Sequence, residues 1–184
     1  AFVFDVISNA ELPSIIETSV TGLPDFSGSR NSGNINIEAN SFSASNGALL
    51  IATTLEKGNA GNITIKTTDS VIFDESSGAF SNIGTNAIGS GGIVSIDAGS
   101  LTLSNGAQLQ SQVRGKGNAG AIKIQARDSI LFHGVGKDGI SSGAVSQVES
   151  NAVGNGGEIN IDDKNFSITN GAQLQALTLG EGYA

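Results

Sequence analysis

A short phrase, Gly-x-(Ile/Val)-x-Ile, opens at Gly33, Gly61, Gly92, Gly120 and Gly157, in steps of 28, 31, 28 and 37 residues. Self-similarity at such a period marks an architecture in which each unit buries its apolar face only against its neighbours. Four of the five copies follow a glycine turn: Gly58-Asn59-Ala60, Gly89-Ser90-Gly91, Gly117-Asn118-Ala119 and Gly154-Asn155-Gly156. The units are therefore 33–60, 61–91, 92–119, 120–156 and 157–184, with 1–32 a partial unit that carries a long loop.

The units are of two alternating kinds. Those at Gly33, Gly92 and Gly157 share a Ser/Thr-Asn-Gly-Ala corner, beginning at Ser45, Ser104 and Thr169. Those at Gly61 and Gly120 share Asp-Ser and a hydrophobic run, as Asp69-Ser70-Val71-Ile72-Phe73 and Asp128-Ser129-Ile130-Leu131-Phe132. The second kind carries the length variation, expected as 3 and 9 extra residues before Ser77-Gly78-Ala79 and Ser142-Gly143-Ala144. Phe2-Val3-Phe4-Asp5 matches Val71-Ile72-Phe73-Asp74, and Ile15 to Val20 is the next expected strand. On this alignment the chain begins in mid-unit, as a stretch of a longer protein would.

Within each unit the apolar period is two. Ile35/Ile37, Ile63/Ile65, Val94/Ile96, Ile122/Ile124 and Ile159/Ile161 alternate with mostly polar partners, the pattern of a half-buried strand. A second short strand follows at Phe42, Val71, Leu101, Ile130 and Phe166, and a third after the Gly-Ala corner, as in Ala107-Gln108-Leu109-Gln110-Ser111. Three short strands per 28–37 residues, with no helical period and only 2 Pro, pair each strand with its counterpart in the next unit. The expected fold is all-β: a parallel β-solenoid with three faces per coil.

Composition removes whole classes of function. The 184 residues include 26 Gly and no Cys, so neither a disulfide framework nor a thiolate metal site is available. One His excludes a multi-histidine centre. A net charge of −8 with only nine Lys+Arg argues against nucleic acid as a partner. No apolar run approaches the roughly 20 residues of a membrane helix, and Ala1-Phe2-Val3-Phe4-Asp5 lacks the charged start of a secretion leader.

Stacked coils turn equivalent residues into columns about 4.8 Å apart. Asn46, Asn105 and Asn170 share one corner, where Asn tolerates positive φ and Gly follows. An outward column reads Glu38, Lys66, Asp97, Gln125, Asp162, a solvated ladder in which Lys66 and Gln125 separate the acids. A cation site is the alternative reading of this column; Asp162-Asp163 adjoin it, but consecutive strand residues point to opposite sides, so the two do not easily chelate one ion. Gln108, Gln110, Gln173 and Gln175 form a second outward stripe, able to serve as ladder or as sugar contact.

Gly58-Asn59-Ala60-Gly61-Asn62-Ile63-Thr64-Ile65 and Leu101-Thr102-Leu103-Ser104-Asn105-Gly106-Ala107-Gln108-Leu109 resemble the repeats of filamentous-haemagglutinin-like exoproteins of two-partner secretion, cyanobacterial type. The resemblance runs from about residue 33 to 184. It implies a right-handed parallel β-helix exported through a dedicated outer-membrane pore partner, displayed at the cell surface or released, and acting in adhesion or aggregation. The secretion domain that defines the family has no counterpart in these residues. The lack of Cys suits a chain that crosses the envelope unfolded.

The expected function is a non-enzymatic, extracellular or surface-exposed adhesive rod, with surface glycans or other cells as partners. The alternative is a self-associating subunit of an extracellular fibre or sheath, and the third is a polysaccharide-active β-helix enzyme. No catalytic, cofactor-binding or metal-ligating residue is assigned, and no ligand. His133 stands where Asp5 and Asp74 stand in sister coils and reads as a corner residue, with no recurring nucleophile beside it. Asp74-Glu75 and Asp162-Asp163 are the adjacent acid pairs that a sugar-cleaving enzyme would draw on, and Arg30, Arg114 and Arg127 are expected on different parts of the coil. Gly91 to Asp97 has the wrong period for a calcium nonapeptide repeat, and the glycine turns lack the Gly-Lys-Ser/Thr of a phosphate cradle. No flat Thr-x-Thr face suggests ice binding. Asn62-Ile63-Thr64 and Asn165-Phe166-Ser167 fit glycosylation sequons by chance composition. The loops 7–31 and 133–142 leave alternate coils at one corner, where solenoids commonly bind; Leu23-Pro24-Asp25-Phe26 is an apolar tip of the first.

Overall fold

The computed structural model describes residues 2–4, 14–21 and 28–183, and among these there is no helix. The partial coil contributes β1 (Phe2–Phe4) and β2 (Ile15–Glu17), and the Gly33 coil β3 (Ile35–Ala39), β4 (Phe42–Ala44) and β5 (Leu49–Ile51). The Gly61 coil holds β6 (Ile63–Thr67), β7 (Ser70–Phe73) and β8 (Gly78–Phe80). Longer strands follow in the Gly92 coil, β9 (Val94–Ser104) and β10 (Gln108–Val113), and in the Gly120 coil, β11 (Ile122–His133) and β12 (Gly143–Val148). The Gly157 coil returns to three, β13 (Ile159–Asp162), β14 (Phe166–Thr169) and β15 (Gln173–Thr178). Every strand pair is parallel and joins neighbouring coils, as in Ile35↔Ile63↔Val94↔Ile122↔Ile159. The result is a parallel β-helix of about five turns.

Nine strands make one bent sheet spanning the first and second faces, and six make the third face. Two expectations need correction. First, the Gly92 and Gly120 coils do not carry three separate strands: β9 and β11 run unbroken through the first corner for 11 and 12 residues. Gly99 sits at that corner of β9, where coil approaches coil so closely that a Cβ would stand 2.4 Å from the Asp69 carbonyl oxygen. In β11 a bulge between Ala126 and Ser129 absorbs one extra residue.

Second, the extra residues do not all precede the third strand. Gly78 and Ala79 pair with Leu49 and Leu50, so the Gly61 coil gains one residue at the first corner and two between Ile83 and Ile88. The Gly120 coil gains one in the bulge, six between His133 and Gly143, and two between Val148 and Val153. The pairing also equates Ala48 and Ala107 with the buried Ser77 and Ser142, not with Ala79 and Ala144.

The inward rows form the core. Large and small residues compensate along the axis: Phe42 and Ala44 lie against Val71 and Phe73, and the Phe42 and Phe73 rings sit 5.3 Å apart. A smaller apolar column, Ile83, Val113 and Val148 with Ala60, Ala87 and Ala152, fills the third corner; nothing in the alternating pattern announced it. Between core and corner runs a buried serine column. Ser81 Oγ donates to the Gly61 carbonyl (2.7 Å) and accepts from the Gly92 N–H (2.9 Å). Ser111 repeats this with Gly92 and Gly120 (3.1 and 2.9 Å). Each serine thus ties its own coil shut and holds the opening glycine of the next.

Candidate functional site

The outward column on the first face is as the spacing predicts: Glu38, Lys66, Asp97, Gln125 and Asp162 pair rung by rung. Arg127, released by the bulge, reaches down over two coils. It pairs with Asp97 at 3.3 Å and donates to the Thr67 and Thr68 carbonyls at 3.0 and 2.8 Å. An ion pair this exposed contributes about 0–1 kcal/mol. Asp163 turns away from the column: one carboxylate oxygen accepts from the Lys164 N–H at 2.6 Å, and the other is buried without a partner. Among the described residues no cluster of three or more His, Asp or Glu is arranged to hold a metal ion.

Asp74, Ser104, His133 and Thr169 occupy one column at the second corner. A nucleophilic triad needs the imidazole between hydroxyl and carboxylate. Here the hydroxyl is in the middle. Ser104 Oγ donates to Asp74 at 2.8 Å, while His133 Nδ1 faces Thr169 Oγ1 at 3.0 Å. Asp74 also accepts from the Asn105 side chain at 2.8 Å, so it serves to order the corner.

The most distinctive site lies at this same corner. Asn46, Asn105 and Asn170 adopt φ of 52°, 50° and 51°, and Gly47, Gly106 and Gly171 continue the left-handed turn. In the Gly61 coil the equivalent turn is made by Glu75 and Ser76, at φ 48° and 58°. Two non-glycine residues held there cost on the order of 1–3 kcal/mol each, a form of strain that gathers at functional sites. The inserted loop of the Gly120 coil closes over them. Val135 and Ser141 form an antiparallel bridge, and Ser76 Oγ donates to Asp138 at 3.2 Å across the intervening coil. Gly136 packs against Gly106 so closely that a Cβ on either would fall about 3 Å from the other's Cα. The cleft so formed, about 410 Å³, is lined by Asn46, Glu75, Ser76, Asn105, Val135 and Lys137. One carboxylate, one ammonium, two amides and a hydroxyl suit a small polar ligand better than an apolar one. The 133–142 loop leaves at a corner, as the sequence predicts; the repeat pattern does not single out the strained pair, whose sequence signal is Glu-Ser in the register of Asn-Gly.

The glutamine stripe is a correction. Gly143 and Val145 of β12 stand between Gln108 and Gln110 on one side and Gln173 and Gln175 on the other. Gln108 instead donates to the Ser141 carbonyl at 3.0 Å, tying down the loop. Asparagine columns line the corner before the first face: Asn34 Oδ1 accepts from the Asn62 N–H, and Asn62 Oδ1 from the Ile93 N–H, both at 2.8 Å. Asn165 donates to the Asp128 carbonyl at 2.8 Å, so both sequon asparagines brace neighbouring coils. The arginines are not all on different parts of the coil: the Arg30 N–H donates to the Lys57 carbonyl and Lys57 is bridged through Ile88 to Lys116, which puts Arg30 and Arg114 at the same third corner. Leu23-Pro24-Asp25-Phe26 and Asp5 lie outside the described residues, as do residues 7–13 and 22–27. The 7–31 stretch is nonetheless not one loop at one corner, because Ile15–Glu17 within it is β2, paired with β5 on the third face, and Val20 is bridged to Thr54.

No protein-family model, no curated protein and no solved structure matches this chain.

Proposed function

We propose that the chain is a stretch of a secreted or cell-surface β-helical rod acting in adhesion or aggregation, without catalysis of its own. The observation that carries this reading is the stacking of outward polar side chains in register over five coils, as in Glu38, Lys66, Asp97, Gln125 and Asp162. A stiff ladder presents many equivalent weak contacts at strand spacing, and linked contacts multiply in avidity. The cleft at Glu75 and Ser76 adds one concave polar site to that surface, with a surface glycan as its occupant. Export through an outer-membrane pore partner rests on the repeat resemblance alone.

A second reading, a self-associating subunit of a fibre or sheath, draws on the outer side of the second face. There Ile72, 39% exposed, and Leu131 flank Thr102 and offer apolar area for lateral contact. Immunogold labelling of intact, unpermeabilised source cells tests both. Scattered label at the envelope and at cell contacts supports the adhesive rod, and regular label along continuous fibres supports the subunit. Label only after permeabilisation sinks both. Release of reducing sugar that disappears on Asp74→Asn and Glu75→Gln would replace them with an enzyme.

A further inference from the structure

The third corner carries charge and apolar surface that the cleft and the ladders do not use. Lys57, Ile88, Lys116 and Val153 form one column, bridged rung to rung. Arg30 extends it downward, its N–H donating to the Lys57 carbonyl at 2.8 Å. In the adjacent column Leu55 lies over Gly84, its Cδ2 only 2.7 Å from where a Cβ would stand, and Arg114 is hydrogen-bonded through its N–H to Ile83 at 2.9 Å.

This edge departs from the rest of the molecule. Arg30, Lys57, Arg114 and Lys116 are four of the nine Lys+Arg in a chain of net charge −8, and all four are exposed. Lys57, Arg114 and Lys116 take no part in the one ion pair among the described residues, Arg127–Asp97. Glu56 and Glu149 are the acids beside them, Glu149 on the rung next to Arg114 with its Oε1 accepting from the Gln147 side chain at 2.6 Å; Glu181 enters only further along the axis, beyond Val153. Between the cations stand Leu55 and Ile88, 48% and 50% exposed.

We propose that this edge docks on an anionic lipid bilayer, with Lys57, Arg114 and Lys116 on headgroup phosphates and Leu55 and Ile88 at the headgroup–acyl boundary. A soluble polyanion would answer the charges and leave the two aliphatic side chains in water. A charged bilayer surface takes both at once. The overall negative charge does not cancel the attraction, because charges beyond a Debye length of about 8 Å are screened. Lys57 and Lys116 are two rungs apart, roughly 9.6 Å along the axis, so the rod would lie lengthwise on the membrane. The inference is independent of the adhesive reading and stands or falls by itself.

The test is co-sedimentation of the 184-residue chain with phosphatidylcholine vesicles, with and without about a third phosphatidylglycerol. Binding is expected to the anionic vesicles only, declining as salt rises. Lys57→Gln with Lys116→Gln weakens it roughly tenfold or more. Lys66→Gln with Lys123→Gln, the same charge change on the first face, leaves it within about twofold. Leu55→Ser with Ile88→Ser weakens it roughly tenfold while keeping the salt slope. A retained β-sheet circular dichroism spectrum certifies each variant. Equal binding to neutral vesicles, or equal loss from both lysine pairs, overturns the proposal. So does retention on dextran sulfate with no vesicle binding, which would assign the edge to a soluble polyanion.

Discussion

At the scale of single residues, the fold depends on side chains that are absent. A Cβ on Gly92 would stand 2.2 Å from the Gly61 carbonyl oxygen and 2.7 Å from Ser81 Oγ; one on Gly120 would meet Gly92 and Ser111 in the same way, at 2.0 and 2.7 Å. Glycine is required here for close approach of coil to coil. Gly120→Ala should therefore cost about 1–3 kcal/mol or more, as overpacking does, read as a lowered urea midpoint at unchanged slope. Ser111→Ala removes a fully buried hydroxyl that serves one donor and one acceptor, and a loss of about 1–3 kcal/mol is expected. A change under about half a kcal/mol would mean that the serine column is dispensable. Ser76 works in the opposite direction. Its φ of 58° suits Gly, and its hydrogen bond to Asp138 is exposed, so Ser76→Gly should raise stability by about 1 kcal/mol. A fall in the urea midpoint instead would show that the loop contact outweighs the backbone strain.

Elements are where the sequence is legible in part. The Gly-x-(Ile/Val)-x-Ile phrase and its period of two locate the first-face strands and their register, because a one-residue slip would turn Ile63 and Ile65 outward. The Asn-Gly corner is equally plain, since few other pairs accept two successive left-handed residues. What the pattern does not carry is where inserted residues enter. One at the first corner and two before the glycine turn leave the period intact on either side, and only pairing partners distinguish them. The same ambiguity hid the Glu75-Ser76 turn and made Gln108 and Gln173 look adjacent in space, although the Gly120 coil separates them. The inserted loop itself is predicted to be thermodynamically minor. Replacing residues 135–141 with Asn-Gly should shift stability by less than about 1 kcal/mol, because loop closure depends weakly on length. A loss above about 2 kcal/mol in thermal or urea unfolding would instead make the Ser76–Asp138 and Gln108–Ser141 contacts a clamp.

At the largest scale these 184 residues form a one-dimensional stack, and the stability of this stretch taken by itself should vary along the axis. Apart from the reach of Arg127 to Thr67 and Thr68 and of Ser76 to Asp138 across one coil, coils pack on their neighbours, so interior coils have two packed interfaces. Phe73, Leu103, Leu109 and Phe132 are fully buried, while Phe166, Ile168 and Leu174 in the Gly157 coil are 37–40% exposed. Phe73→Ala is accordingly expected to cost about 3–5 kcal/mol, with cavity and transfer losses combined. Ile168→Ala deletes a side chain that water already reaches and should cost well under half as much. Hydrogen exchange resolves the same gradient without mutation. Amides of β9 to β12 should be the slowest, opening only with the whole stack, and those of β13 to β15 should exchange faster through local loss of the last coil. The Phe73→Ala variant should then accelerate β4 to β9 more than β15, because coupling passes through adjacent interfaces. Uniform protection from β4 to β15, or a uniform response to Phe73→Ala, would mean that the coils unfold as a single unit and that the nearest-neighbour description fails.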